Sequence, residues 1–110
     1  MPKIKIKPLS VNGAWQGRRF KTPEYEAYEQ ECLYKLPKLI VPSDKHLSLC
    51  MKVGLSNVQS DLSNSLKCFE DILQKKYDFN DRNIYKIIML RDVVEKGGEY
   101  IDFNIGLFNI

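Results

Sequence analysis

SDLSNSLK, at residues 60–67, is the stretch that decides the fold, because two different hydrophobic patterns meet there. Before it, residues 46–54 alternate apolar and other side chains with a period of two, which predicts a strand. After it, apolar residues recur at helical spacing, which predicts a helix from about Ser63 to Lys76. The two apolar sets are Leu47, Leu49, Met51 and Val53 for the strand, and Leu62, Leu66, Phe69, Ile72 and Leu73 for the helix.

The residues on the N-terminal side predict one more strand and one more helix. Lys3 to Pro8 alternates polar and apolar residues, as a strand does. Thr22 has the chemistry of a helix N-cap, with Pro23 at the first helical position, and Pro37 ends this helix. Residues 10–21, between the two elements, are predicted to form a loop.

The residues on the C-terminal side predict two final strands. Ile84 to Val94 is strand-like and Tyr100 to Leu107 alternates again, with a turn at residues 95–98, so the two runs are predicted to form a hairpin. The resulting order, β-α-β-α-β-β, predicts an α+β fold with two main helices packed on a mixed β-sheet. At 110 residues the chain is expected to be a single domain over residues 1–110.

Composition and hydropathy bear on the location of the protein and on the state of its cysteines. No apolar run approaches the ~18 residues that indicate a membrane span. Lysine alternates with isoleucine over residues 3–7, so this segment lacks the apolar block of a signal peptide, and the cytoplasm is the expected location. The three cysteines form no Cys-x-x-Cys pair and are expected to be buried, free thiols at residues 32, 50 and 68.

Basic residues are concentrated at the N-terminal end, although the net charge is only +3. A local basic block without any acid favours a polyanionic partner. Part of the block surrounds Trp15 and Phe20, and because arginine pairs well with phosphate and aromatic rings stack on unpaired bases, that part predicts contact with nucleic acid. For the lysines of the first strand, an exposed strand edge is an equally good interpretation. The basic residues are Lys3, Lys5, Lys7, Arg18, Arg19 and Lys21.

Acidic and polar residues flank the second helix at both ends. Asp61 precedes the helix and Asp81 follows it, and carboxylates of this kind can hold a magnesium ion against a phosphate. If residues 61–63 are extended, Asp61 and Ser63 point to the same side. The residues alone also allow a second interpretation, in which Asp61 or Ser63 caps the helix and Asp81 bonds the backbone of its own turn.

Several separated motifs resemble the RusA family of phage and prophage Holliday-junction resolvases. They occur in that family's order, and the resemblance runs from about Ile4 to Ile105. The motifs are Pro-Leu-Ser-Val-Asn at residues 8–12, Trp15, Gly-Arg-Arg-Phe at 17–20, Asp-x-polar-Asn-x-x-Lys at 61–67, Asp-Ile-Leu at 71–73 and Asn-Asp-Arg at 80–82.

The resemblance implies a metal-dependent endodeoxyribonuclease that resolves Holliday junctions in DNA recombination and repair, and that acts as a homodimer on branched DNA. It implies Asp61 and Asp81 as the essential carboxylates for Mg²⁺ or Mn²⁺, with Ser63 beside them. Lys67 matches a lysine of the family that could hold the scissile phosphate or stabilise its growing charge. Asn12 matches a loop asparagine that is expected to contact DNA or brace the loop. The residues expected to contact DNA are then Asn12, Trp15, Arg18, Arg19, Lys21 and Lys67.

Ser63 stands where the family has a second aspartate, and a hydroxyl brings no charge to a metal site. The alternative is therefore a catalytically weakened, RusA-like protein that binds DNA junctions or a protein partner. Glu70 is a poor replacement on spacing, because seven residues of helix span about 10.5 Å, unless the metal ion lies along the helix rather than at its tip. Asp71 matches an acidic position of the family, and a pairing with Lys67 or Lys75 explains it equally well.

Overall fold

The computed structural model of the chain describes residues 2–16 and 20–109, so the predicted DNA contacts Arg18 and Arg19 lie outside the described residues. There are two main helices, α1 (Pro23–Lys35) and α2 (Leu66–Tyr77). Within the described ranges, no helix has the length and apolar character needed to cross a membrane. The strands are β1 (Lys3–Lys5), β2 (Trp15–Gln16), β3 (Phe20–Lys21), β4 (Leu47–Leu55), β5 (Ile84–Val93) and β6 (Tyr100–Leu107).

The main sheet has four strands in the order β1-β6-β4-β5, and it is mixed. β5 runs parallel to β4, whereas β6 runs antiparallel to both β4 and β1. The predicted α+β class, with two helices and one mixed sheet, is confirmed. The predicted loop at residues 10–21 contains more structure than expected, because β2 and β3 pair as a short antiparallel ribbon with Trp15 opposite Lys21.

The prediction of a hairpin between the last two strands is wrong, because β4 lies between β5 and β6. A hairpin would have left one edge of β4 without hydrogen-bonding partners, and buried backbone groups need such partners. The connection at residues 94–99 is longer than a tight two-residue turn. It carries the chain across β4, over two strand spacings of about 10 Å. Val94 still donates to the carbonyl of Leu55 at 3.1 Å, so the crossing starts directly from the end of β4.

The first helix begins with a capping hydrogen bond from a side chain, whereas the second begins without one. Thr22 Oγ1 accepts from the backbone N–H of Tyr25 at 3.2 Å, which confirms the predicted N-cap of α1. A 3₁₀-helix, Leu62–Ser65, precedes α2. Residues 61–63 are therefore not extended, and the premise that would put Asp61 and Ser63 on the same side is wrong. Asp61 occupies the N-cap position of this 3₁₀-helix but makes no side-chain cap hydrogen bond.

The core lies between the helices and one face of the sheet. The alternating residues of β4 point into it, and α2 packs its apolar face against β6. Phe69 of α2 and Phe103 of β6 meet edge to face, with ring centroids 5.5 Å apart, and both are fully buried. The predicted helical faces are confirmed in the core, which contains Tyr25, Tyr28, Cys32 and Leu36 from the first helix and Phe69, Ile72 and Leu73 from the second.

The opposite face of the sheet carries one close-packed aromatic ring. Tyr100 of β6 lies over Gly54 of β4 so closely that a Cβ at Gly54 would approach the ring to 2.5 Å. The Tyr100 hydroxyl donates to Asp92 of β5 at 2.5 Å, and the ammonium of Lys3 lies 4.2 Å from the ring centroid. These contacts link strands across the whole width of the sheet.

The three cysteines differ in accessibility, and this gives a first testable prediction. Cys32 and Cys68 are buried as predicted, but Cys50 is half-buried, so the prediction of burial is wrong for that residue. Burial raises the pKa of Cys32 to about 12 and also raises the pKa of Cys68. Because the thiolate is the reactive form, we expect an alkylating reagent to modify Cys50 in the native protein and the other two only after unfolding.

Mass spectrometry of the alkylated protein checks this expectation. The matched control is the same labelling in denaturant, where all three thiols should react at similar rates. Native labelling of Cys32 or Cys68 as fast as that of Cys50 would contradict the packing of both helices.

Candidate functional site

Three carboxylates converge beside α2. One oxygen from each of Glu70, Asp71 and Asp81 lies within 4.8 Å of the others, and this group could hold a metal ion. Glu70 and Asp71 belong to α2, and Asp81 begins a short 3₁₀-helix after it. We name this group the carboxylate cluster.

A turn after α2 brings Asp81 back to the helix. Asp78 ends α2 in the left-handed conformation, with φ 54°, and its N–H donates to the carbonyl of Gln74 at 2.9 Å. This reverses the chain, and the N–H of Asp81 then donates to the side-chain oxygen of Gln74 at 2.9 Å. The side chain that accepts a backbone N–H in this turn is that of Asn80, from Arg82 at 3.0 Å. Asn80 therefore makes the hydrogen bond to the turn backbone that was considered for Asp81.

Lys67 lies over the carboxylate cluster. Its ammonium is 3.0 Å from Asp71 and 3.6 Å from Asp81, and the lysine side chain keeps 55% of its surface exposed. The first pair has the i, i+4 spacing that was predicted for Asp71 and Lys67. Lys75, the other partner considered for Asp71, instead pairs with Glu29 of α1 at 3.0 Å.

The cluster brings three carboxylates close together, and one of them is shielded from water. Glu70 is buried, with only 8% of its surface exposed. Burial raises the pKa of Glu70, Lys67 opposes this, and the nearby carboxylates Asp81 and Asp71 raise the pKa further. The hydrogen bond to Asp71 raises the pKa of Lys67 in turn. Oxygen donors whose charges repel one another are the ligand set that a hard divalent cation stabilises, so the cluster could hold a metal ion.

The raised pKa of Glu70 predicts how the free energy of unfolding depends on pH. In the unfolded chain Glu70 titrates near its ordinary value of 4.5, whereas the folded protein retains the proton to higher pH. The unfolded state therefore binds fewer protons between the two pKa values, and the free energy of unfolding falls as pH rises through that window. Glutamine keeps the shape of the side chain and removes the titration, so we expect Glu70→Gln to be more stable than the wild type at neutral pH.

Urea unfolding of both proteins, in the presence of a chelator, at about pH 4 and about pH 7 measures this difference. The two proteins should have similar stability at the acidic pH and separate at the neutral one. A wild type that gains stability relative to Glu70→Gln on going to neutral pH would show that the fold favours the charged carboxylate.

A second polar region lies at the start of the 3₁₀-helix before α2. A cavity of about 410 Å³ is lined by Ser10 and Asn12 from the N-terminal loop and by Asp61 and Asn64. The fold thus brings together two of the predicted site residues, Asn12 and Asp61, that are far apart in sequence. Neither Asp61 nor Ser63 belongs to the carboxylate cluster, whereas Asp81 does.

The loop that carries Asp61 is anchored to the outer strand of the sheet. Arg91 of β5 donates from its guanidinium to the carbonyl of Val58 at 2.9 Å and to the carbonyl of Ser60. Two donors of one rigid group hold two points of the loop, so the position of Asp61 depends on β5.

Two of the predicted nucleic-acid contacts, Trp15 and Lys21, lie on the ribbon formed by β2 and β3, together with Phe20. Phe20 is 72% exposed, and Trp15 is 39% exposed with its ring edge-on to Tyr25 at 5.4 Å. The ammonium of Lys21 pairs with Glu29 at 2.8 Å. The ribbon therefore offers aromatic surface to solvent beside a basic residue that is held in place.

The spacing of Glu70 predicts a role at the site only if the metal ion lies along the helix and not at its tip. The carboxylate cluster lies along the side of α2, and Glu70 belongs to it. The available signal was Asp78, since an aspartate tolerates the left-handed conformation that reverses the chain and returns Asp81 to the helix. His46 stacks on Tyr85 with ring centroids 3.9 Å apart.

Comparison with protein-family models gave no match, and comparison with curated proteins gave no significant match. The function is therefore proposed from the geometry of the carboxylate cluster and the second polar region, together with the motifs in the sequence.

Proposed function

We propose that this protein is a metal-dependent endodeoxyribonuclease of the RusA type that cleaves four-way DNA junctions. The observation that carries the proposal is the carboxylate cluster, in which Asp81, implied as a ligand by the sequence motifs, meets Glu70 and Asp71 beneath the ammonium of Lys67. Acidic oxygens next to a lysine suit the hydrolysis of a phosphodiester, whose charge grows at the transition state. The setting is the cytoplasm of a bacterial cell, where phage and host DNA recombine.

In the proposed reaction, Glu70, Asp71 and Asp81 hold Mg²⁺, or Mn²⁺ in its place. The ion supplies polarisation of a phosphoryl oxygen and orientation of a water. Lys67 is exposed enough to leave the carboxylates and contact the scissile phosphate. The oxygen of the water bonds to phosphorus and its proton is released, while the P–O bond to one deoxyribose breaks and that oxygen takes up a proton.

The second polar region serves DNA binding in this proposal. Asn12 and the amide and hydroxyl groups of the cavity can donate hydrogen bonds to phosphate oxygens. Trp15 and Phe20 supply surfaces on which bases opened at the branch point can stack. Asp61, implied as a ligand by the resemblance, remains in the proposal as a further carboxylate of the site, and Ser63 lies beside it in the chain.

A specific observation favours a second candidate, a junction-binding protein that cuts weakly or not at all. The ammonium of Lys67 lies 3.0 Å from Asp71 and 3.6 Å from Asp81. It therefore neutralises part of the negative charge that would otherwise attract a metal ion. Ser63 adds no charge to offset this. A protein of this kind would bind branched DNA, or a protein partner, without depending on a divalent ion.

Incubation of the purified protein with a labelled synthetic four-way junction tests the proposal. The reactions contain Mg²⁺, Mn²⁺ or a chelator, and a linear duplex of the same sequence is the control substrate. We expect paired nicks across the junction, with either metal, and intact duplex. Tight junction binding without nicks in both metals would overturn the nuclease proposal in favour of the second candidate.

The variant Ser63→Asp separates the two candidates further. A large gain in cleavage would indicate a nuclease weakened by its missing charge. No gain in a protein that already cleaves would indicate that the carboxylate cluster is sufficient without an acid at this position. If the junction is neither cut nor bound at low salt, both candidates fail, because phosphate contacts are strongest there.

A further inference from the structure

The outer edge of β5 is a long strand edge with apolar side chains exposed on both of its faces. Among the described residues, β4 is its only strand neighbour in the sheet. The exposed fractions are 55% for Tyr85, 42% for Ile87, 39% for Ile88, 52% for Leu90 and 62% for Val93. Proteins protect such an edge with proline, bulges, short length or charged side chains. Where β5 pairs with Ser48 to Leu55 it has no proline and no bulge, and its charged residues are Lys86, Arg91 and Asp92.

We propose that a second copy of this chain covers this edge, so that two β5 strands pair antiparallel and join the two sheets into one. A two-fold axis perpendicular to the sheet reverses the strand direction and keeps each face on its own side. From Lys86 to Val93, after the irregularity that puts Ile84 opposite the buried Leu47, odd-numbered residues of β5 share the helix-covered face, because Met89 pairs with the buried Met51. Even-numbered residues share the opposite face. Residues that face each other across the axis must therefore be both odd or both even.

The charges of β5 select one register among those that this rule allows. If the axis passes through Met89, Lys86 of each copy stands opposite Asp92 of the other, and this occurs twice. The same register places Ile88 opposite Leu90, and Ile87 opposite Arg91, whose guanidinium is already held by the carbonyls of Val58 and Ser60. Moving the axis to Ile88 or to Leu90 would place Lys86 or Asp92 opposite an apolar residue. Opposite charges and apolar pairs that face each other both stabilise paired strands, so the register centred on Met89 is the self-complementary one.

The resemblance implies a homodimer, and this inference names its surface; in that respect it rests on the proposed RusA-type function. The tests are nevertheless separate, because oligomeric state is measured without DNA. A monomeric protein that cleaves junctions would overturn only the pairing, and a dimer that does not cleave would overturn only the nuclease.

Sedimentation of the full chain over about a hundredfold range of concentration measures the pairing. We expect the wild type to dimerise and Lys86→Asp to dimerise about tenfold more weakly, because two attractive pairs become repulsive. Lys96→Asp is the matched control: it makes the same charge change in the exposed connection after β5 and should dimerise like the wild type.

A mixture of variants tests the register itself. Lys86→Asp and Asp92→Lys each place like charges together in a homodimer, but a heterodimer of the two has opposite charges at both positions. We expect the mixture to dimerise more strongly than either variant alone. Asp92→Lys also loses the hydrogen bond from Tyr100. If it does not fold, comparison of Lys86→Asp with Lys86→Ala replaces the mixture, and the aspartate variant must be the weaker dimer.

Three results would overturn the pairing. The first is a wild type that stays monomeric at every concentration, which would leave the edge to a strand from a different protein. The second is equal dimerisation of Lys86→Asp and Lys96→Asp, which would place the interface elsewhere. The third is a mixture no stronger than its separate components, which would exclude this register.

Discussion

Replacement of Asp81 by asparagine is expected to lower the rate of metal-dependent junction cleavage by more than about a hundredfold. Asparagine keeps the size of the side chain but removes the charge that the cluster contributes to a bound cation. Asp81 is the carboxylate of the cluster that the resemblance implies as a metal ligand. Its backbone N–H, which donates to Gln74, is unchanged by the substitution, so the turn should keep its shape.

The loss of cleavage should leave junction binding intact or strengthen it, because a negative charge near the phosphates is removed. The matched control is Asp78→Asn, which makes the same chemical change three positions earlier in an exposed turn. Asparagine tolerates the left-handed conformation at Asp78, so this variant should cleave like the wild type. Cleavage by Asp81→Asn at the wild-type rate would remove Asp81 from the reaction.

A comparison with Asp61→Asn then assigns the remaining acid. If Asp61 holds the metal ion, this variant should lose cleavage to the same degree as Asp81→Asn. If Asp61 only lines the DNA-binding cavity, binding should change and the rate of the bound complex should not.

The largest effect on stability is expected for Phe69→Ala. The substitution should lower the free energy of unfolding by about 3–5 kcal/mol, because it removes a fully buried ring and leaves a cavity between α2 and β6. The edge-to-face contact with Phe103 is lost at the same time. Against a total stability of about 5–15 kcal/mol for a domain of ordinary size, this is a large fraction.

Urea unfolding measures this loss, and Phe20→Ala is the matched control. Phe20 is 72% exposed, so the same substitution there should change the free energy of unfolding by less than about 0.5 kcal/mol. Equal losses in the two variants would mean that α2 does not pack on the sheet as described. Phe20→Ala should instead weaken junction binding, if its ring stacks on bases.

The fold could be predicted from the sequence where a single local pattern decides the outcome. The Thr22 and Pro23 pair set the start of α1, and strict alternation set β6 at Tyr100–Leu107. The order of strands could not be predicted in this way. Whether β6 pairs with β5 or with β4 depends on which arrangement gives β4 a partner on both edges. No local sequence pattern contains that information.

The candidate site could also be predicted only in part, because local motifs do not determine how distant segments come together. Asp81 and Lys67 were found from their motifs and lie together in the structure. The distance from Asp61 to the cluster depends on how the chain enters α2, and the 3₁₀-helix at Leu62–Ser65 changed that entry. Glu70 suits a metal ion along the helix but not one at its tip, and the choice between the two depends on the return of the chain after Asp78, which moves the site to the helix flank.

The pairing of β1 with β6 also constrains how the chain folds during its synthesis. Among the described residues, β6 is the strand neighbour of the first strand, Lys3–Lys5, so a nascent chain carries Ile4 without its partner Ile101 until β6 has left the ribosome. β4 likewise waits for both of its neighbours. Contacts between residues so distant in sequence slow folding. The growing chain therefore exposes apolar strands to chaperones, and to other nascent copies, until β6 has been synthesised.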